Sequence, residues 1–327
     1  PRSRGLGDVY KRQVVTPQKV MEQNGADILR LWVVSSDYYN DLRIGAEIIK
    51  RTTDNYRRFR NTLRYLLGAL DGFDNGEKLG YADMPELEKW VLHRLASIDA
   101  TIREMTETYD FHGIFSELHQ FCNSDLSAFY FEIRKDTLYC DNPDATARRA
   151  CRTVMDEVFN RLTAWLAPIL CFTAEEAWQS RHADINQSVH LRSYDPVPAD
   201  WHNNAIAAKW VQIRKARQVV MSALETARND GKIGASLQAT PMVYISADMQ
   251  AAFAGQDAAS LFITSSATLS SDAAPDGAFR LDAIDDVGVV VAVADGKKCA
   301  RCWKITPEVI ADVDICGRCQ DVVSAQS

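Results

Sequence analysis

Apolar residues recur at helical spacing along the first two thirds of the chain. Over residues 44–70 they fall at Ile44, Ile48, Tyr56, Phe59, Leu63, Leu66, Leu67 and Leu70, the three-to-four spacing of one helical face. The same spacing predicts helices from Leu87 through Trp90 and Leu95 to Met105, from Phe111 to Phe131, and from Ala147 through Val154 to Leu166. The links between them are short and rich in Gly, Asp and Pro, which favours antiparallel neighbours in an up-down bundle. Upstream, Thr16-Pro17 reads as an N-cap with proline at the first helical position. Gly25 reads as the end of that helix, and Asp27 as the cap of the apolar helix "ILRLWVV". Pro168 opens "PILCFTAEEAW", where Thr173 with Glu176 three residues on has the capping-box pattern.

The proline-punctuated "SYDPVPADW" (193–201) marks a boundary, and a helix over about 203–230 follows, stopping at Asp230-Gly231. Then the period changes. "MVYIS" and "VGVVVAVA" have strand composition, with two short helical stretches between them. The expected fold is mainly α: an antiparallel helical bundle, then a small α+β module ending in a four-cysteine knuckle. The first thirteen residues, "PRSRGLGDVYKRQ", carry three arginines, two glycines and no apolar period. They are expected to be a non-native or disordered leader, with the natural sequence beginning at Val14.

Composition narrows the function. At 327 residues with 46% hydrophobic and 25% charged positions, the chain is an ordinary globular sequence long enough for two or three domains. No apolar run approaches the roughly 20 residues of a membrane span, and no secretory signal opens it, so a cytoplasmic protein with no membrane partner is expected. A net charge of −7 excludes a uniformly basic nucleic-acid binder, but not one with its cations on a single face. Residues 43–64 are such a face: Arg43, Lys50, Arg51, Arg57, Arg58, Arg60 and Arg64 stand against only Glu47 and Asp54. That surplus suits a polyanion, with Lys50, Arg51, Arg57, Arg58 and Arg60 as candidate phosphate contacts. A solvated helix face balanced by neighbouring acids is the competing reading. Arg148, Arg149 and Arg152 open another helix against its dipole, so something other than helix stability is expected to favour them. The six histidines show no metal spacing and are read mostly as helix-surface residues. No phosphate-cradling glycine loop, nucleophile elbow or carboxylate pair is present in the sequence, so no catalytic residue is assigned.

The cysteines carry the sharpest chemistry. Cys122, Cys140, Cys151 and Cys171 are scattered through helical segments and read as reduced core residues. The other four form two Cys-x-x-Cys pairs, Cys299/Cys302 and Cys316/Cys319, with thirteen residues between the pairs. Two residues between cysteines let a tight turn aim both sulfurs at one ion, and two such pairs fill a zinc tetrahedron. With no open position the ion would be structural; a redox dithiol or accidental spacing is the bland alternative. Gly317 is expected to supply a positive φ in the second turn. Lys297, Lys298, Arg301, Lys304 and Arg318 surround the pairs. Part of that charge balances the thiolates, and the surplus beside Trp303 suits phosphate contact with base stacking. Arg301, Trp303 and Lys304 are therefore candidate RNA contacts, while a tryptophan filling a tiny core stands as the other reading of Trp303.

With these residues laid out, "VVTPQKVMEQNGADILRLWVVSSDYYNDLRI" resembles the segment after the KMSKS loop in class I aminoacyl-tRNA synthetases of the isoleucine, valine and leucine group. "WVQIRKARQVVMSALETARNDGKIGASLQA", "LAPILCFTAEEAW" and the terminal "KKCARCWK…CGRC" make the chain similar to the bacterial isoleucyl-tRNA synthetases over about residues 14–323. The resemblance implies a C-terminal fragment without the catalytic and editing domains. Its implied divisions are a leader at 1–13, a stem-contact segment at 14–43, and a helical anticodon-binding bundle at 44–195. A long helix with a small α+β junction module follows at 196–295, then a zinc-binding tail at 296–327. The implied function is recognition of the anticodon arm of tRNA(Ile) for a ligase that attaches isoleucine using ATP. One structural Zn2+ is implied here, and ATP only through the missing catalytic domain. The implied partners are tRNA(Ile) and the missing domains of the same polypeptide, in a monomer inactive on its own. The alternatives are a non-enzymatic zinc-knuckle adaptor binding protein or nucleic acid, and a DNA-repair glycosylase tail, which needs a different catalytic domain.

Overall fold

The computed structural model describes residues 15–326 apart from positions 39, 183, 185 and 311, so the leader expected at 1–13 lies outside the described residues. The chain opens with α1 (Pro17–Asn24) and α2 (Ala26–Val34), followed by the long α3 (Ala46–Ala69). Next come α4 (Glu86–Glu107) and α5 (Phe111–Gln120), which continues through a π-helical stretch, Phe121–Phe131, into α6 (Glu132–Cys140). Then follow α7 (Thr146–Leu166), α8 (Cys171–Arg181) and α9 (Asn204–Asn229). The rest is β1 (Ala239–Ile245), α10 (Ala247–Ala252), α11 (Ala258–Phe262), β2 (Thr268–Ser270), β3 (Phe279–Leu281) and β4 (Ile284–Val293). The end holds β5 (Lys297–Lys298), β6 (Ile305–Thr306), β7 (Val309–Ile310), β8 (Ile315–Cys316) and α12 (Gly317–Gln326). The mainly helical class and the small C-terminal sheet region agree with the sequence pattern. The helix expected to stop at Phe131 instead runs on to Cys140 through the π-helical stretch, where Phe129, Tyr130 and Phe131 are all buried. Three consecutive buried aromatics do not fit a single stripe of 3.6 period.

Two compact units divide the described residues. One comprises the chain up to Asn75, Arg94–Ala128 and Arg152–Ala199; the other comprises Gly76–His93, Phe129–Cys151 and Asp200 onward. In the first, Thr16 caps α1 by accepting from the Lys19 amide at 3.4 Å, and Gly25 ends it at φ 90°. Val20, Ile28 and Ile49 form a buried cluster joined by Trp32, Ile44 and Tyr56. Ile49, rather than the expected Ile48, faces this core; Ile48 is exposed. Phe59 of α3 meets Phe115 of α5 edge-on at 6.2 Å.

Two expected caps are corrected. α2 has Gly25 as its N-cap with no side-chain bond. Asp27, buried in its first turn, instead serves α8: its carboxylate accepts from the Phe172 amide at 3.3 Å, and from the Thr173 amide and hydroxyl at 2.8 and 2.6 Å. A carboxylate at a helix N-terminus satisfies orphan N–H groups and favours the positive dipole end. Thr173 is therefore capped rather than capping, and Glu176 turns to Arg60.

In the second unit the sheet order is β2-β1-β4-β3. β1 runs parallel to β2 and antiparallel to β4, from Ala239↔Val293 to Ile245↔Val287. α9, capped by Asn203 accepting from the Ile206 amide at 3.0 Å, packs on β1 and β4. β2 and β3 were not legible in the sequence; at three residues each, neither is long enough to show a period. Trp90, Phe129 and Trp210 cluster with ring centroids 5.2–6.1 Å apart. Glu88, fully buried, accepts from Arg134 at 2.7 Å and from the Tyr130 hydroxyl at 3.1 Å, which satisfies a charge that would otherwise be prohibitive in a core.

Candidate metal centre and nucleic-acid interface

Two short hairpins build the knuckle. β5 pairs with β6, Lys297↔Thr306 and Lys298↔Ile305, and their turn carries Cys299 to Lys304. The Cys299 amide donates to the Lys304 carbonyl at 2.9 Å and the Trp303 amide to the Cys299 carbonyl at 3.0 Å. β7 pairs with β8, Val309↔Cys316 and Ile310↔Ile315, and leads directly into α12. The Ala300 amide donates to the Asp314 carbonyl at 2.8 Å, tying one hairpin to the other. Gly296 enters at φ 118°, and a Cβ there would lie 2.4 Å from the Thr306 backbone, so only glycine fits. The positive φ expected at Gly317 is not found there; that glycine begins α12. Trp303 and Asp314 take the left-handed turns instead, at φ 66° and 55°.

The four sulfurs converge. Cys299, Cys302, Cys316 and Cys319 are all buried, and their Sγ atoms lie within 4.8 Å of one another. The Cys302 and Cys316 sulfurs stand 3.8 Å apart, which is the edge of a tetrahedron with metal–sulfur bonds of about 2.3 Å. Burial alone opposes thiolates here, but backbone N–H groups, that of Cys316 among them at 3.3 Å, bring the Cys299 thiol down to about 6. Cys302 and Cys319 are pushed up, by burial first and by neighbouring sulfurs after it. A dication resolves that conflict by holding all four as thiolates, so the donor set fits zinc. The remaining cysteines are free thiols; Cys122, Cys140 and Cys151 are buried, and burial pushes Cys122 and Cys151 up to about 12.

Trp303 projects from the knuckle 60% exposed, with the Lys298 ammonium 5.2 Å from its ring centroid. This excludes the core-filling reading. Beside it lies a groove of about 500 Å³, lined by Glu132, Lys135 and Tyr139 of α6, Ile263 after α11, and Trp303 and Lys304. Tyr139, 68% exposed, is the second aromatic face at this groove and was missed in the sequence. Its only signal was a tyrosine at the end of a helix whose last turn the 3.6 period did not reveal. Arg301, expected to touch RNA, donates to the carbonyls of Cys140 and Tyr139 at 2.5 and 3.3 Å.

The basic face of α3 divides by partner. Lys50, Arg51, Arg57 and Arg58 are exposed, with Arg57 3.0 Å from Asp54 and Arg58 bonded to Asn123. Among the described residues Lys50 and Arg51 lie in no ion pair. Arg60 makes a two-pronged bond to Glu176 at 2.8 and 3.1 Å, which raises Arg60 and lowers Glu176 from their ordinary values. It is thereby the least available of the five. A groove of about 630 Å³ between α1 and α3 adds Lys19, Gln23 and Asn24 to Lys50 and Arg57. This groove is not legible in the sequence, because α1 has no basic run of its own.

The other cationic clusters are structural. Arg148 donates to the Leu138 carbonyl at 3.2 Å, Arg149 to the Gly76 and Glu77 carbonyls, and Arg152 to the Asp71 carbonyl at 2.7 Å. Arg214 sits 5.1 Å from the Trp90 ring centroid, and Arg217 donates to the Leu261 carbonyl at 2.8 Å. His93 is buried and accepts from the Asn203 amide at 3.0 Å, an exception to the surface reading of the histidines.

Residues 88–243 match the anticodon-binding domain of tRNA ligase, and residues 296–322 match the zinc finger found in FPG and IleRS. The chain is 50% identical to an isoleucine–tRNA ligase of Agrobacterium fabrum over 312 residues, 95% of this chain and 32% of that protein. It is 48% identical to that of Ruegeria pomeroyi over 97% of this chain and 32% of the relative. With that of Gluconobacter oxydans it shares 47% identity over 99% of this chain and 32% of the relative. The chain thus spans about a third of the length of the curated relatives it matches. Among solved structures, a LeuRS–tRNA–LeuAMS ternary complex of Agrobacterium radiobacter aligns over 62% of this chain and 23% of that one, at 15% identity and a TM-score of 0.46. No helix of the described residues is long and apolar enough to cross a membrane.

Proposed function

We infer, from a chain that belongs to the isoleucine–tRNA ligase family and matches its C-terminal part, that this region holds the anticodon arm of tRNA(Ile) for the ligase. The observation that carries this reading is Trp303. Its indole is exposed, set in a left-handed turn of a metal knuckle, has Lys298 over its face, and lines with Lys304 a groove that holds a second exposed aromatic, Tyr139. Every nucleobase has a face that stacks on such a ring, worth about 1–3 kcal/mol per base. The lysines supply the phosphate contacts that position a strand without reading it. On α3, Lys50, Arg51, Arg57 and Arg58 present cations along one face, suited to backbone phosphates.

Cys299, Cys302, Cys316 and Cys319 would hold one zinc ion, whose chemistry here is to fix the two turns and nothing catalytic. Attachment of isoleucine to tRNA(Ile) with ATP is proposed for the ligase as a whole, of which the chain's relatives are members. The chain by itself is proposed to bind without catalysing. The divisions at 14–43, 44–195, 196–295 and 296–327, a monomeric state and a cytoplasmic location belong to the same proposal.

Filter binding of tRNA(Ile) to this chain across salt concentrations tests the reading. With these six cations on phosphates, log affinity is expected to fall against log salt with a slope of about −4 to −5. Equal, salt-insensitive retention of tRNA and an uncharged polymer would overturn it in favour of an adaptor that binds protein.

A further inference from the structure

Each Cys-x-x-Cys pair carries an arginine immediately before its second cysteine: Arg301 before Cys302 and Arg318 before Cys319. Both reach the same turn of helix. Arg301 donates to the Cys140 and Tyr139 carbonyls at 2.5 and 3.3 Å. Arg318 grips Asp136 with both Nη atoms, at 2.6 and 2.7 Å, and lies 3.4 Å from Asp141. The Cys140 thiol completes the contact, donating to the Arg301 carbonyl at 3.7 Å, and it packs against the four-sulfur cluster.

All these partners fall between Asp136 and Asp141, the end of α6 and its C-cap. The last carbonyls of a helix are orphans at the negative end of its dipole, and a guanidinium satisfies both demands at once. A planar fork on a carboxylate adds fixed direction, which an ammonium would not. Although burial works against its charge, Asp136 is held below its ordinary value by the Arg318 bonds and by the charges of Arg318 and Lys304.

The geometry points to a two-pronged clamp: Arg301 and Arg318 are positioning residues that make metal binding, docking of the knuckle on α6 and placement of Trp303 at the Tyr139 groove one coupled event. Each arginine is bonded in the chain to a metal ligand, so the ion sets where both guanidinium groups start. The helix end sets where they must finish. Whatever stabilises the docked arrangement must then tighten metal retention, because coupling between two sites is reciprocal. The RNA part of this inference rests on the function proposed above. It also reassigns Arg301, from an RNA contact to a group that holds an RNA contact in place.

Zinc release to a chromogenic chelator and tRNA(Ile) binding at several salt concentrations, measured on the whole chain, decide between the two roles. In Asp136→Asn the surface facing a polyanion loses a negative charge, so a direct-contact role for the arginines predicts tighter RNA binding and unchanged zinc release. The clamp predicts the reverse: zinc release at equilibrium with the chelator several-fold greater and tRNA affinity about tenfold weaker, with the salt slope unaltered. The charge exchange Asp136→Arg with Arg318→Asp is expected to recover both properties toward wild type, which general destabilisation would not do. Unchanged zinc release in Asp136→Asn would overturn the clamp, as would Arg318→Gln lowering the salt slope by about one at unaltered zinc release. The zinc arm uses no RNA, so it decides the clamp even where wild-type protein fails to hold tRNA, a result that would sink only the functional reading.

Discussion

A tryptophan at φ 66° is an uncommon choice, because a left-handed backbone costs a non-glycine residue roughly 1–2 kcal/mol. Trp303 pays this while standing 60% exposed, so packing in a core does not explain the residue. Two substitutions separate backbone from indole. Trp303→Ala keeps the strained turn and is expected to weaken tRNA(Ile) binding by about 1–3 kcal/mol with zinc content unchanged. Trp303→Gly relieves the turn, so it should melt no lower than the alanine variant in calorimetry, yet bind tRNA equally poorly. Unaltered binding in both would refute an RNA contact at Trp303.

His182 gives a second residue-scale expectation. Burial first, then the charges of Arg181 and Arg192, lower it below its ordinary value of 6.5, and its ring lies 3.9 Å from that of Trp178. Below pH 6.5 the unfolded chain takes up the proton before the folded one does. Stability from this group is therefore complete above 6.5 and is lost as pH falls toward the lowered folded value. Carbon-detected NMR titration should place the His182 midpoint below 6.5, and His182→Phe should flatten the acid limb of the unfolding free energy. A midpoint above 6.5 contradicts the account.

At the scale of elements, helix ends and buried charges do the joining. Asp27 of α2 caps α8 from 145 residues away in sequence, and Arg30 of α2 donates to the Ile169 carbonyl at 2.9 Å just before that helix. Asp27→Ala removes three acceptor contacts at once and is expected to cost about 1–3 kcal/mol in denaturant unfolding, with Asp27→Asn costing less because one oxygen still accepts. In the second unit the Glu88–Arg134 pair is deeper, at 0% and 13% side-chain exposure. Glu88→Gln leaves a guanidinium without its counter-charge, and a loss of about 3–5 kcal/mol in the same measurement is expected. Element existence and type were legible here because α3, α4, α7 and α9 each keep an apolar stripe over more than twenty residues. Their caps were not, since a capping side chain can come from any part of the chain that packs nearby, as Asp27 does.

On the scale of the whole molecule, the metal knuckle differs from the rest in what holds it. Among the described residues its buried cluster is five cysteines, with Val309 and Ile315 packed against them. Strands of two residues and so little apolar surface cannot offset chain entropy without the ion. Chelation is expected to free amides over 296–326 to exchange within seconds, while those of α3 and α9 keep their protection in hydrogen-exchange mass spectrometry. Protection that survives chelation across the knuckle would refute a structural metal. What the order of residues determined by itself was whatever is local or periodic: helices from apolar spacing, the strand composition of β1 and β4, and the four sulfurs from their Cys-x-x-Cys spacing. Only the tertiary structure decided which charges are spent and which are free. Arg301 reads as an RNA contact in one dimension, and Arg148, Arg149 and Arg152 as cations placed for something other than helix stability, yet each ends on backbone carbonyls. The physical reason is that a guanidinium on a long side chain finds its partner by proximity in space, and proximity in space is the one property that spacing along a chain does not encode.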